Sequence, residues 1–283
     1  MCANTLWAAN ETKLKQQTRI FYLPKNPNYV RKFLLPPLFS LLFPGSDQFW
    51  EKQWVPATTY LAGALAGTGL IVASRGTGDN RYRNFGFDVY LTAGGLSAYH
   101  AFRTAVVSRK TQGEFTYVTE DEHPSTLLFA PFDYHHLQEY TTWAPLAAGL
   151  LIFSFLGEHK QGGSATLNDL FYSGTVSYMN AVGEEAIFRG WVLPMMKHYV
   201  GQDSWAIGIT AGLSSIYHGA RLKHWVSSLA LGAYLGWLAQ RNNYAIAQGI
   251  FIHTWWDLIA FFSDYAYNRD QAFLSLPPVV INF

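Results

Sequence analysis

Apolar residues in this chain gather into long runs divided by short polar connections. The runs cover residues 33–44, 54–74, 85–107, 141–156, 170–196, 204–219, 225–240 and 245–262. A helix rises 1.5 Å per residue, so about 20 apolar residues cross the roughly 30 Å of hydrocarbon in a bilayer. Strand-type alternation is absent, and the pattern predicts an all-α fold, a polytopic transmembrane bundle of about eight helices. The clearest span is 54–74, which carries no charge and whose Gly63, Gly67 and Gly69 point to close helix packing. The first run is short and holds Pro36, Pro37 and Pro44, so it either spans with distortion or only dips into the membrane. Asp88, His100 and Arg103 interrupt the third run and are expected near the membrane surface or snorkelling to it.

Composition supports the bundle. Of 283 residues only 14% are charged, while 17% are aromatic, many of them the Trp and Tyr that collect at membrane interfaces. A net charge of +1 leaves no basic patch for nucleic acid. The single cysteine, Cys2, excludes an intramolecular disulfide and a CxxC metal site, and is expected to be inert. No apolar core followed by a small-residue cleavage site marks the first thirty residues, so no signal peptide is expected.

Five segments follow: a polar N-terminal segment 1–32, a membrane hairpin region 33–107, a polar acidic loop 108–140, a core 141–263 and a tail 264–283. His135 and His136 in the loop are expected on its surface. Eight crossings place both termini, the arginine-bearing loop at 75–83 and the Arg221 and Lys223 connection on one side, with the acidic loop opposite. By the positive-inside tendency that side is cytoplasmic, which predicts a multi-pass protein of a bacterial inner membrane.

The run 170–196 contains GEEAIFRG, where Glu184, Glu185 and Arg189 are the only charges. A charge at the centre of a membrane helix costs roughly 2.5–3.5 kcal/mol, so such groups pair, face an interior or do chemistry. Glu185 and Arg189 are four apart and can pair on one helix face, while Glu184 points about 100° away. Two other runs carry His218, in SSIYH, and His253 with Asp257, in HTWWD. An acid and two histidines from three helices can assemble a hydrolytic site, or the whole set can serve helix packing.

EEAIFR, SSIYH and HTWWD, in that order, resemble the signature of the CPBP intramembrane peptidases, also called the ABI or CAAX-protease-like family: EExxxR, then FxxxH, then HxxxN or HxxxD. The resemblance covers about residues 142 to 263, with Ser214 standing where Phe is usual. It implies an intramembrane endopeptidase acting on a peptide or membrane-protein substrate through an activated water. Glu184 would be the base, His218 would share its water, and His253 with residue 257 would polarise the scissile carbonyl. Glu185 and Arg189 would support them. An ionised Asp257 repels an oxyanion where an Asn donates to it, so the expected role of Asp257 is to orient His253 from one turn away.

Two alternatives stay open. A metalloenzyme would use Glu184, His218, His253 and Asp257 as ligands for zinc, though HExxH is absent and the resemblance implies that no cofactor is needed. A catalytically silent scaffold, or a bacteriocin-immunity-type protein, would keep the same cluster for packing. GxSxG is absent, so a serine mechanism has no footing.

Overall fold

Each of the eight apolar runs is helical, with ends a few residues from those expected. The computed structural model describes residues 20–24, 27–77, 80–108, 115–120, 122–156, 166–217 and 222–267. α1 (Pro27–Leu42), the short α2 (Ser46–Trp50), α3 (Trp54–Thr77) and α4 (Asn80–Ser108) form the N-terminal half. α5 (Pro124–Phe129) and two 3-10 turns (Ala130–Phe132 and Tyr134–Gln138) lead into α6 (Tyr140–Leu156). α7 (Leu167–Ile187), a π-helical turn (Phe188–Val192) and α8 (Leu193–Val200) make one continuous rod. α9 (Asp203–Tyr217), α10 (Leu222–Arg241) and α11 (Ala247–Tyr267) complete the core. Cys2, most of the 1–32 segment and most of the tail lie outside the described residues.

Local chemistry explains where the central rod starts and bends. Thr166 and Asp169 form a capping box, each side chain accepting a hydrogen bond from the other's backbone N–H, so α7 begins ahead of the apolar run. Pro194 has no N–H for the carbonyl of Gly190 and crowds it, and the wide turn at Phe188–Val192 takes up that mismatch.

Small residues set the helix spacing. A Cβ at Gly67 would lie 2.5 Å from the Gly86 carbonyl oxygen, and one at Gly95 would lie 2.6 Å from that of Gly183. At both crossings backbone therefore meets backbone. α4 touches α7 at Thr92 to Gly183, Gly95 to Ile187 and Tyr99 to Gly190, so numbers rise together and the two helices run parallel. The turn before α3 is pinned to α4 as well. Gly45, at φ 94°, donates through its N–H to Ser97 Oγ at 2.8 Å, and the buried Gln48 side chain donates to the Ser97 carbonyl at 3.1 Å.

The bundle buries several charged side chains and exposes many large apolar ones. Leu65, Leu151, Phe171 and Ile216 are 59–74% exposed, while Asp88, Glu184, Glu185, Arg189 and His253 are at most 4% exposed. Lipid, which solvates Leu and Phe but not charge, favours that arrangement. Among the described residues Trp54–Gly76 is the one helix long and apolar enough to cross a bilayer by itself, while Phe33–Leu42 and Tyr140–Ile152 are apolar but shorter. Helix length and apolarity therefore do not carry the expected count of eight crossings.

Three expectations need correction. A short antiparallel pair, β1 (Ile20–Pro24) with β2 (Phe115–Glu120), sets Ile20 opposite Glu120. FTYVTE does alternate, but its partner lies far away in sequence. The 108–140 segment is also not only a solvated loop, because Leu127 and Ala130 from it are buried in the largest apolar cluster. Its Glu122 carboxylate accepts the N–H groups of Ile246 and Ala247 at the start of α11. Finally, the Asp88 and His100 side chains do not point out of the bundle, as snorkelling would require. They are 1% and 6% exposed, on the face of α4 turned into the bundle. His135 does sit on the surface, its ring 2.8 Å from Asp133.

Candidate active site

The centre of the site is set by α7, whose last two turns are completely buried. Glu185 Oε1 accepts from Arg189 Nη1 at 2.9 Å, the pairing that the i, i+4 spacing predicts. The same oxygen faces His253 Nδ1 at 2.8 Å, across the contact with α11. The guanidinium is fixed further by its Nη2, which donates to the Gly232 carbonyl at 3.1 Å and lies 3.5 Å from Ser214 Oγ. A Cβ on Gly232 would stand 3.0 Å from that nitrogen, so the glycine of α10 leaves the space Arg189 occupies. Ser214 fits the same space, with its hydroxyl donating to the Ala211 carbonyl at 3.0 Å.

On the other edge of the imidazole, Nε2 lies 4.0 Å from Glu184 Oε2 and 3.7 Å from Asp257 Oδ2. Both separations exceed a hydrogen bond, and the 4.0 Å gap is one that a shared water can bridge. Asp257 Oδ2 accepts from Asn180 Nδ2 at 3.4 Å. Glu185, not Asp257, therefore makes the hydrogen bond that orients His253, and Asp257 acts on the ring across space. From sequence the supporting acid and the orienting acid looked like separate residues. Glu185 holds both partners because its helix face meets α10 and α11 together.

Glu184, Glu185, Arg189, His253 and Asp257 thus converge. His218 lies outside the described residues. Sequence reasoning missed Asn180 and Ser177, although Ser173, Ser177, Asn180 and Glu184 recur at helical spacing and are all buried on α7. It also placed Asp88 wrongly, on α4, within electrostatic reach of Glu184 and Asp257.

Among the described residues no group of three or more His, Cys, Asp or Glu is arranged to hold an ion, and the expected zinc set includes His218, which lies outside them. A water held between carboxylate and imidazole is the chemistry the arrangement can support: proton abstraction on one side and stabilisation of developing negative charge on the other.

No curated protein and no solved structure matches the chain. Residues 166–259, from the N-cap of α7 to the middle of α11, match the family model of the type II CAAX prenyl endopeptidases, described as Rce1-like, and over that third of the chain the resemblance carried by the three motifs holds.

Proposed function

We propose that the protein is an intramembrane endopeptidase in which Glu184 and His253 act on a water and a scissile carbonyl held between them. One observation carries the reading: two helices bring a buried carboxylate and an imidazole to 4.0 Å, with the far side of the ring locked by Glu185 at 2.8 Å.

In the proposed reaction Glu184 takes a proton from the water as its oxygen bonds to the carbonyl carbon. The C=O electron pair moves onto oxygen, where Nε2–H of a protonated His253 donates to it. Collapse of the intermediate breaks the C–N bond, and Glu184 returns its proton to the leaving nitrogen, giving an acid and an amine. Glu185 and Arg189 hold the ring, and Asp257 favours the charged imidazolium. The resemblance assigns His218 a share of the same water. The eight helices cross the bilayer with both termini cytoplasmic, and the substrate is a peptide or membrane protein reached within the lipid.

The test uses the full chain in lipid nanodiscs with two probes, a farnesylated Cys-aliphatic-aliphatic-X peptide and the same peptide without the lipid. Cleavage is read by mass spectrometry, and Glu184→Gln is expected to lower turnover by about 10²–10⁴-fold. Its melting temperature is expected to equal or exceed the parent's, since a buried charge held for chemistry burdens the fold. Parental cleavage by a folded Glu184→Gln protein would remove the proposal. A fall in melting temperature without any parental cleavage would favour a packing role.

A further inference from the structure

The proposed reaction consumes a water, yet Glu184 is 0% exposed. A second polar layer lies about one turn away along α7. Asp88 is 1% exposed, and neither of its carboxylate oxygens has a hydrogen-bond partner. Ser177 Oγ and Asn180 Oδ1 are likewise buried without a partner. They share one level of the bundle. Thr92, one turn after Asp88 on the same face of α4, donates to the Met179 carbonyl at 2.6 Å, which places Asp88 at the level of Ser177 and Asn180 on the parallel α7. Asn180 in turn reaches Asp257, and Asp88 is within electrostatic reach of both Asp257 and Glu184.

Buried polar groups left over in this way are satisfied by ordered water, which typically makes about three hydrogen bonds. Apolar packing would leave four oxygens stranded from three neighbouring side chains, and a cation would meet no arranged set of ligands. Polar side chains also continue from this layer toward the start of α7. Asp169, Ser173, Ser177, Asn180 and Glu184 follow one another along a single face of α7. At the far end Asp169 pairs with Arg81 at 2.9 Å, and the Arg81 side chain is 35% exposed.

Resting on the peptidase reading, we propose that Asp88, Ser177 and Asn180 hold a buried water cluster that supplies Glu184. Asp88 is then a positioning residue contributed by a helix outside the stretch that matches the peptidase family. The water ligands are carboxyl, hydroxyl and amide oxygens, and the methyl groups of a substituting Val or Leu would occupy the water positions.

Two arms test this. A structure of the full chain in nanodiscs, at a resolution that shows ordered solvent, is expected to contain water about 2.7–3.2 Å from the Asp88 carboxyl and from Ser177 Oγ. Side chains closed on each other with no solvent between them would overturn the proposal, and this arm needs no substrate. The kinetic arm uses the farnesylated peptide. Ser177→Val and Asp88→Leu are expected to lower kcat by roughly ten- to a hundredfold, with KM and melting temperature near parental. Asp88→Asn, which still bonds water, is expected to lose less than Asp88→Leu. Parental kcat in folded Ser177→Val protein overturns the water supply, and that variant decides the matter if Asp88→Leu does not fold. An inactive Glu184→Gln beside a fully active Ser177→Val removes this inference alone. An active Glu184→Gln removes the peptidase reading and leaves the solvent layer to the first arm.

Discussion

The two edges of the His253 ring are built differently. On the Nδ1 edge, Glu185, Arg189, the Gly232 carbonyl and Ser214 form a closed set with separations of 2.8–3.5 Å. On the Nε2 edge, Glu184 and Asp257 stop at 4.0 and 3.7 Å, and unpartnered oxygens on Asp88, Ser177 and Asn180 lie beyond them. Neighbouring acids on one helix thus take opposite parts. The first edge immobilises the ring, and the second keeps its acids beyond hydrogen-bond distance of it.

Substitutions that separate the two edges sharpen this contrast. The largest expected effect is the loss of about 10²–10⁴-fold in turnover in Glu184→Gln, with the fold intact, read by peptide cleavage and melting in parallel. On the closed edge the effect should fall on stability instead. Arg189→Leu strands the Glu185 carboxylate and is expected to cost about 3–5 kcal/mol, measured by denaturation in detergent. If Arg189→Leu melts like the parent while Glu184→Gln unfolds, the two edges have been assigned the wrong way round. Gly95→Val drives a methyl group into the Gly183 carbonyl and should cost about 1–3 kcal/mol while lowering activity through the displaced α7. Ser214→Ala removes a hydroxyl 3.5 Å from Arg189 and should change stability by no more than about 0.5–1.5 kcal/mol, with cleavage nearly unchanged.

Much of this architecture is written in local pattern. Apolar run length located the helices, and the i, i+4 rule gave the Glu185 and Arg189 pair and put Asp257 beside His253. Features set by distant contacts were not legible. β1 and β2 pair across most of the N-terminal half, so neither strand announces itself. Asp88 reads as a surface residue because α4 is a mixed helix, and only its packing against α7 shows that the polar face turns inward. The link from Glu185 to His253 depends on three helices meeting, which no single motif encodes. By contrast, the Ser173, Ser177, Asn180 and Glu184 spacing was visible all along, hidden because serine and asparagine draw less notice in an apolar run than acids do.

The wide turn at Phe188–Val192 has a consequence for how this chain tolerates deletions. A π turn holds one more residue than the α turn it replaces. Removing one codon from this stretch would let the rod close into uniform α-helix, and because four residues of α-helix turn through nearly the same angle as five in a π turn, everything downstream would keep its bearing. Leu193 and Met195 would stay buried, and Lys197 would keep its 2.9 Å bridge to Asp203. Upstream, Glu184 and Glu185 would be undisturbed as well. A frame-preserving deletion of one amino acid here should therefore disturb the rod less than the same deletion inside α7, which would turn the residues beyond it by about 100°.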